Sequence, residues 1–306
     1  MKVIYIHIES TKREYFSKLL LSYFALKSGF TVIMGDVLYI FNKLKYFKNK
    51  RGIFHYKSIN PTEANIALFK ELKKNGYFIT SIDEEGGIEY EKYHSKDHNS
   101  FLAARYSNKT LSLVDKIFTW GEFDYKSLIE NFPEFNDKFI NTGNPRLDFC
   151  KPELDGFYEK LNSDHLINNK KPILIISDIG NIMSSKRLSE QVYINRKDDY
   201  QSLKENEKTE KESEQFKIYS SKIIFLGEFV KLIRQLVSEF PEENFILRPH
   251  PTEIENDWIK IIGNYKNLVI TKSHSSTYWV RRSKIMIHNS CYTALESALL
   301  KKPIIS

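Results

Sequence analysis

The chain has 306 residues, of which 41% are hydrophobic and 14% aromatic, so it is long enough for two cores and too apolar to be disordered. Lys and Arg number 46 against 39 Asp and Glu, which gives a formal net charge of +7, and the two signs are intermixed along the chain. Because this excess is modest and no recognised nucleic-acid-binding motif accompanies it, we expect no nucleic-acid partner.

Cysteine content and hydropathy indicate the cellular setting. Cys150 and Cys291 are the only cysteines, one in each half of the chain, which favours a reducing compartment. The first residues pass directly into an apolar strand, and no apolar run approaches the roughly 20 residues of a membrane-spanning helix. We therefore expect a cytoplasmic protein that contacts the inner membrane at most peripherally, for example through the basic run from Lys43 to Arg51.

The amino-terminal residues predict a β-α-β unit. Val3 to Ile8 and Thr31 to Met34 are apolar runs typical of buried strands, and the residues between them, Thr11 to Ser28, predict a helix. The apolar side chains that recur there at helical spacing are Tyr15, Leu19, Tyr23 and Leu26. Glu9 and Arg13 fall at the junction of the first strand and the helix, where they can pair with each other or line a ligand crevice.

A carboxylate-rich corner follows the strand predicted at Tyr77 to Ile82. That strand runs directly into Asp83, Glu84 and Glu85, with two glycines after them. Three adjacent like charges repel and the glycines add chain entropy, so the corner is costly as structure alone. It is a candidate for a general base, and the alternative is an acidic turn exposed to water. Because successive side chains at a strand tip point to opposite faces, Glu84 faces one way and its neighbours the other.

Further alternation of strands and helices completes an α/β first half. The predicted elements are Gly52–Tyr56, Pro61–Lys74, Phe101–Val114, Lys116–Trp120, Gly121–Phe132 and Phe139–Thr142. The turn that closes this sheet contains Asn144 and Arg146, which are further candidates for the crevice. We place the domain boundary just after it, giving domains 1–150 and 151–306.

The second half repeats the pattern around one charged segment. The predicted elements are Phe157–Leu166, Pro172–Ser177, Ile223–Phe240, Asn244–Arg248, Glu253–Tyr265, Leu268–Thr271, Ser276–Ser283, Lys284–His288 and Cys291–Leu300. The segment 184–214 is rich in Lys, Glu, Ser and Asp with few apolar residues. This composition predicts an exposed insert that is helical or disordered.

Two strand-to-helix corners of one design predict an anion site in this half. The first ends in Arg248-Pro249-His250-Pro251, where the prolines stop the strand and leave His250 at its carboxyl tip. The second offers Asn289 or Ser290 as the N-cap of a helix that includes Thr293. Parallel α/β sheets bind ligands beyond the carboxyl ends of their strands, so we expect a phosphate between His250 and the helix start. The alternative is an ordinary turn beside an ordinary helix cap.

These corners resemble motifs of GT-B glycosyltransferases. Glu84-Glu85-Gly86 looks like the acidic-acidic-Gly motif, and His250-Pro251 like the His-Pro motif, of bacterial transferases that use CMP-sialic acid or CMP-Kdo, while Ser290 to Thr293 occupies the place of their Ser/Thr motif. Outside the charged insert, nearly the whole chain is similar to surface carbohydrate (polysaccharide) biosynthesis proteins. CDP-glycerol glycerophosphotransferases and nucleotide-sugar 2-epimerases share the fold and have similar corners.

The resemblance implies a GT-B-like α/β fold of two Rossmann-like parallel-sheet domains that face each other across a cleft. Residues 1–150 would form the acceptor side and residues 151–306 the nucleotide-donor side. A protein of this fold normally continues through a helix that crosses back onto the first domain, so we expect the chain to be truncated after Ser306.

The implied activity is a metal-independent transfer of a sugar from a nucleotide-activated donor, with a CMP-ulosonic acid favoured. The acceptor would be a glycan or lipid-linked glycan of surface polysaccharide, lipopolysaccharide or capsule biosynthesis, and no cofactor beyond the donor is expected. Glu84, or failing that Asp83 or Glu85, would deprotonate the acceptor, and His250 would offset charge on the leaving group. The residues expected to bind the donor phosphate or nucleotide are Arg248, His250, Asn289, Ser290 and Thr293. The alternatives are a CDP-glycerol-type glycerophosphotransferase and a non-catalytic glycan-assembly protein of the same fold.

Overall fold

The computed structural model describes residues 2–44, 52–87, 96–161, 170–183, 205–289 and 291–306. The chain divides into two compact units, Met1–Phe149 and Cys150–Ser306. Each unit is built on one parallel β-sheet whose strands alternate with helices along the chain. The predicted α/β class, with two parallel-sheet halves, is confirmed.

The first unit contains a six-stranded sheet of order β2-β1-β3-β4-β5-β6. Its strands are β1 (Lys2–His7), β2 (Phe30–Gly35), β3 (Ile53–Tyr56), β4 (Phe78–Ile82), β5 (Lys116–Thr119) and β6 (Phe139–Asn141). All adjacent strands pair in parallel. The order reverses between β1 and β3, and in open α/β sheets ligands bind in the crevice that such a reversal opens at the carboxyl ends of the strands.

The helices of this unit include one that the sequence did not predict and one that divides in two. They are α1 (Thr11–Lys27), α2 (Val37–Leu44), α3 (Glu63–Lys74), α4 (Lys96–Arg105), α5 (Asn108–Leu111), α6 (Glu122–Asn131) and α7 (Pro145–Asp148). The single helix predicted from Phe101 to Val114 is wrong, because Ser107 forms a capping box with Thr110 and starts a new helix there. Helix α2 was not predicted.

Helix α1 packs with its polar face towards the sheet. Its buried residues are Glu14, Ser17, Lys18, Ser22 and Ala25. The apolar stripe that indicated the helix (Tyr15, Leu19, Tyr23 and Leu26) is 38% to 58% exposed. An amphipathic helix ordinarily buries its apolar stripe. Here the inward face supplies ionic partners to polar groups at the strand ends.

The second unit has a five-stranded sheet of order β11-β10-β7-β8-β9. The strands are β7 (Ile173–Ile176), β8 (Phe245–Arg248), β9 (Leu268–Ile270), β10 (Ile285–His288) and β11 (Ile304–Ile305). Counted from β7 as the first strand, the order is 3-2-1-4-5, which is that of the nucleotide-binding Rossmann sheet. The crevice of this order lies beyond the carboxyl ends of β7 and β10.

The helices of the second unit are α8 (Asp155–Glu159), α9 (Glu205–Glu239), α10 (Glu255–Ile262), α11 (Ser276–Arg282) and α12 (Thr293–Leu299). Helix α9 begins well before the predicted start at Ile223 and includes residues 205–214 of the expected insert. Glu and Lys, which make up most of this stretch, are good helix formers, so the helix continues through it with few apolar residues. Residues 184–204 of the insert, and residues 162–166 of the helix predicted from Phe157 to Leu166, lie outside the described residues. In the described part of the chain, no helix is long and apolar enough to cross a membrane.

Candidate functional site

The three acids that follow β4 form two separate sets of ion pairs. Arg105 donates from Nε to Asp83 Oδ2 (2.6 Å) and from Nη1 to Glu85 Oε2 (3.0 Å). Glu84 turns to the other side and pairs with Lys18, and both side chains are almost fully buried, at 3% exposure for Lys18 and 2% for Glu84. The trio therefore has one lysine-bound carboxylate, Glu84, on one face and two arginine-bound carboxylates, the buried Asp83 and the exposed Glu85, on the other.

The Glu84 side of this corner contains a buried hydrogen-bonded network. Lys18 Nζ lies 3.4 Å from His55 Nε2, and His55 Nδ1 lies 2.9 Å from Thr80 Oγ1. Because an ammonium only donates, His55 accepts at Nε2 and carries its proton on Nδ1, towards Thr80. Burial and the nearby Lys18 charge hold the pKa of His55 well below its ordinary value. The second oxygen of Glu84, Oε2, is buried and has no hydrogen-bond partner among the described residues.

His7, the last residue of β1, adds a neutral imidazole to the same end of the sheet. Its ring stacks on Tyr56 with centroids 4.6 Å apart. Burial lowers the pKa of His7 to about 4, so the ring is neutral at pH 7. Within the described ranges its buried Nδ1 atom has no hydrogen-bond partner. Such unpaired buried atoms are rare in proteins and mark places where a water molecule or a ligand group binds.

Glu9 and Arg13 form the rim of this corner and pair with each other. Arg13 Nη2 donates to Glu9 Oε2 (3.2 Å) and Glu14 Oε1 (2.8 Å), and its Nη1 donates to Glu85 Oε1 (3.2 Å). Glu85 is 47% exposed. Burial alone would raise the pKa of Glu85, but Arg105 and Arg13 lower it, and the net shift is downwards. Glu85 is thus the exposed member of the trio and a weakened base.

The turn after the acids is fixed by close packing against Trp120. Trp120 Nε1 donates to the backbone oxygen of Asp83. A Cβ atom on Gly86 would lie 2.8 Å from Trp120 Nε1, so glycine is required for this approach. Asp124 accepts from the Trp120 backbone N–H (3.0 Å), and burial raises the pKa of Asp124 to about 6.

Asn144 and Arg146 lie beyond the carboxyl end of β6. Asn144 is the N-cap of α7, and its Oδ1 accepts from the Arg146 backbone N–H at 2.8 Å. Asn144 Nδ2 is buried and makes no hydrogen bond in the described part of the chain. Gly143, immediately before, has a φ of 77°, a left-handed conformation that favours glycine. The capping role explains Asn144 structurally and leaves its amide nitrogen available.

In the second unit, His250 lies half-buried just beyond the carboxyl end of β8. Its Nδ1 accepts from the Thr252 backbone N–H (3.3 Å) and lies 2.8 Å from the Thr252 hydroxyl. A neutral imidazole that accepts at Nδ1 carries its proton on Nε2, and His250 therefore presents an N–H donor there. Arg248 is buried, and its Nη2 donates to the backbone oxygen of His274 at 3.0 Å. That contact gives Arg248 a structural function inside the unit.

The predicted helix cap at the second corner is wrong. Helix α12 begins at Thr293, and the residue in the N-cap position is Tyr292, whose side chain makes no capping hydrogen bond. Asn289 Oδ1 instead accepts from the Asp178 backbone N–H (2.9 Å), which connects the ends of β10 and β7 across the reversal of strand order. Ser290 lies outside the described residues. Thr293 is buried, and its hydroxyl lies 3.3 Å from Cys291 Sγ.

Asp178, the second residue after the end of β7, was not predicted as a site residue. Its pKa is raised, first by burial and then by the charge of Glu253, although His250 and Lys222 act in the opposite direction. Lys222 belongs to α9, and its Nζ lies 3.8 Å from the position of a Cβ atom on Gly180. Two carboxylates, Asp178 and Glu253, and two basic side chains, His250 and Lys222, therefore lie close together beyond the carboxyl ends of β7 and β8.

Sequence reasoning also missed Lys18, His55 and Arg105 in the first unit and Glu253 in the second. A signal existed for Lys18, because Glu14, Lys18 and Ser22 recur at the spacing of a helical face just as the apolar residues do. The others meet their partners across long stretches of chain, which no local pattern predicts. In the portions of the chain that the structure describes, no group of three or more His, Cys, Asp and Glu side chains is placed to hold a metal ion.

Comparison with known proteins shows the fold. Neither a family model nor a curated protein matches the chain. The structure of Methanocaldococcus jannaschii UDP-GlcNAc 2-epimerase, in complex with UDP-GlcNAc and UDP, matches with a TM-score of 0.53 and 11% identity, over 99% of this chain and 83% of that chain. UDP-N-acetylglucosamine 2-epimerase from Rickettsia bellii gives 0.49 and 12% over 100% and 78%, and the wall teichoic acid polymerase TagF gives 0.47 and 13% over 99% and 69%. The chain thus has the two-sheet α/β architecture of the GT-B fold.

Proposed function

We propose that the chain is a glycosyltransferase-like enzyme of surface polysaccharide or lipopolysaccharide biosynthesis. It transfers a sugar from a nucleotide donor, a CMP-ulosonic acid by preference, to a glycan or lipid-linked glycan acceptor. The observation that carries the proposal is His250, which offers an Nε2 proton beyond the carboxyl end of β8 in a sheet of nucleotide-binding strand order. The epimerase from Methanocaldococcus jannaschii, which shares the fold, was solved with UDP-GlcNAc and UDP.

In this proposal the second unit binds the nucleotide. The Nε2–H of His250 donates to the donor phosphate and opposes the negative charge that grows on it as the sugar leaves. Asn289 and Thr293, which follow the end of β10, would make further hydrogen bonds to the nucleotide. Ser290 is included with them because of its place in the sequence motif. No cofactor beyond the donor is required.

The first unit supplies the general base, for which Glu84 is the best candidate of the acid trio. One oxygen of Glu84 is fixed by Lys18, and the other is buried with no hydrogen-bond partner in the described residues. A free carboxylate lone pair in a fixed position is what proton removal from an acceptor hydroxyl requires. Asp83 and Glu85 are bound to Arg105, and the lowered pKa of Glu85 weakens it as a base.

The base assignment is tested by three amide substitutions: Glu84→Gln, Asp83→Asn and Glu85→Gln. Glu84→Gln preserves size and removes proton acceptance, so kcat should fall by about 10² to 10⁴ while donor affinity stays nearly constant. The other two substitutions are the matched controls and should have smaller effects. Equal, mild losses at all three positions would remove the general base from this corner.

The substrate class is tested with a panel of CMP-sugars, UDP-sugars and CDP-glycerol, monitored by nucleotide release in the presence of glycan acceptors. The proposal predicts turnover with a CMP-sugar. Turnover with CDP-glycerol alone would make the protein a glycerophosphotransferase. Binding without turnover of any donor would indicate a glycan-assembly protein that is not an enzyme.

A further inference from the structure

Glu253 is a buried carboxylate at the crevice of the second unit, and five hydrogen bonds converge on it. It lies in the turn after His250 and is 1% exposed. Its Oε1 accepts from the Ser177 hydroxyl (3.0 Å) and from the backbone N–H groups of Ile179 (2.8 Å) and Gly180 (2.9 Å). All three donors belong to residues 177–180, the loop that follows β7.

The other oxygen of Glu253 binds the loop that follows β8. Oε2 accepts from the His250 backbone N–H (3.1 Å) and from Trp258 Nε1 (2.8 Å), and Trp258 is fully buried in the core. A single side chain therefore joins the loops after two neighbouring strands and anchors both to the core. Five donors are enough to stabilise an ionised carboxylate without a cation.

The position of this carboxylate decides where a phosphate can bind. In a sheet of order 3-2-1-4-5, the loop after the first strand presents backbone N–H groups to a nucleotide phosphate. Here the Ile179 and Gly180 N–H groups of that loop already donate to Glu253. A phosphate at the same place would compete with a buried negative charge for these donors. Among the described residues, the donors that remain beside the loop include the Nε2–H group of His250 and the Lys222 ammonium of α9.

We propose that Glu253 is a positioning residue of the nucleotide site. Glu253 fixes the backbone of His250 so that the imidazole can donate a hydrogen bond to the donor phosphate. It also accepts from the N–H groups of the loop after β7, so these groups are not available to bind a phosphate. The assignment rests on the proposed function, because it takes His250 as the phosphate ligand. In addition, the donor phosphate would bind at the carboxyl end of β8 and not at the loop that follows β7.

The decisive variant is Glu253→Gln, with Trp258→Phe as its matched control. In the glutamine variant, the amide oxygen can take the place of Oε1 and accept the three hydrogen bonds made there. The NH₂ group then takes the place of Oε2, where it cannot accept from the His250 N–H or the Trp258 Nε1–H, so both of those hydrogen bonds are lost. Trp258→Phe removes one hydrogen bond to the same oxygen and leaves the His250 contact in place. Both variants should lose stability, but only Glu253→Gln should disturb His250.

The assay measures binding of CMP and CDP by calorimetry, and the His250 ring by nitrogen-proton NMR correlation. We expect Glu253→Gln to weaken nucleotide binding roughly 10-fold or more, the effect of misplacing a hydrogen bond to a charged group, and to shift the ring signals of His250. Trp258→Phe should bind within about twofold of the unaltered protein. On addition of CMP to the unaltered protein, the His250 ring signals should move and the Ile179 and Gly180 amide signals should not.

The outcomes separate the two proposals. If the unaltered protein binds nucleotide and His250→Ala weakens that binding, but Glu253→Gln does not, the positioning role is wrong and the proposed function stands. Equal losses in Glu253→Gln and Trp258→Phe would reduce Glu253 to a stability residue. Large shifts of the Ile179 and Gly180 amides with CMP would place the phosphate at the β7 loop and overturn the assignment. Absence of nucleotide binding by the unaltered protein would overturn both proposals.

Discussion

Lys18→Met should lower the free energy of unfolding, because it breaks the buried ion pair between Lys18 and Glu84 in the first unit. Lys18 and Glu84 are 3% and 2% exposed; Lys18 pairs with Glu84 Oε1, and Glu84 Oε2 has no hydrogen-bond partner in the described residues. Removing the lysine leaves a buried carboxylate without compensation, which costs about 3 to 5 kcal/mol of unfolding free energy. Methionine has nearly the shape of the lysine stem, so little of this loss comes from packing.

The assay is urea unfolding of four proteins: the unaltered chain, Lys18→Met, Glu84→Gln and the double variant. The double variant lacks both charges of this pair and should recover most of the loss, because the substitution of both partners avoids an unpaired ion. Lys12→Met, at an exposed position of the same helix, is the control and should change stability by less than about 0.5 kcal/mol. A cost below about 1 kcal/mol for Lys18→Met, or simple additivity in the double variant, would contradict the buried pairing.

Three further predictions concern the first unit. The folded pKa of His7, about 4, lies below its ordinary value of 6.5, so the stability that neutral His7 contributes is present above pH 6.5 and is lost as the pH falls towards 4. Between pH 7.5 and 5 the free energy of unfolding should fall by about 2 kcal/mol for this reason. His7→Phe should remove this part of the pH dependence of urea unfolding. Leu19→Ser and Tyr23→Ser should each change the free energy of unfolding in urea by less than about 0.5 kcal/mol, because both side chains are exposed. A loss of unfolding free energy above about 2 kcal/mol would show that these apolar side chains are packed. Gly86→Ala places a Cβ atom 2.8 Å from Trp120 Nε1 and should cost about 1 to 3 kcal/mol with a change in Trp120 fluorescence; an unchanged melting temperature would refute the close approach.

The strands and most helices could be predicted because their signals are local. Apolar runs that stop at Gly, Pro or acidic residues mark the strands, and both the acid corner and His250 fall at strand ends as the sequence indicates. The break at Ser107 also has a local signal, since Ser107 and Thr110 have capping-box spacing. That signal was outweighed by the apolar pattern around it.

The orientation of α1 could not be predicted from periodicity alone. Tyr15, Leu19 and Tyr23 have helical spacing, but Glu14, Lys18 and Ser22 have the same spacing on another face. The period identifies a helix, whereas the buried face depends on what the sheet presents to it. Here the sheet end presents Glu84 and His55, and the charged face of the helix packs inwards.

The sequence predicted where the strands of the second unit end, but not the hydrogen bonds that connect the loops after them. Asn289 has the chemistry of a helix cap, yet its oxygen accepts from Asp178, a residue far away in sequence. Glu253 likewise binds the loop after β7, which lies more than seventy positions earlier in the chain. Contacts between loops at neighbouring strand ends depend on strand order, and strand order is a property of the folded sheet.

The measurement that tests the central claim most directly is calorimetric titration of CMP and CDP into the unaltered protein and His250→Ala. The account predicts binding by the unaltered protein and a loss of roughly 1.5 to 3 kcal/mol in the variant, with an unchanged melting temperature because His250 lies half-buried in a turn. Thr252→Val, which removes the hydroxyl and keeps the backbone N–H to the imidazole, should bind almost normally. Equal affinity of His250→Ala and the unaltered protein, or no binding by either, would contradict the account.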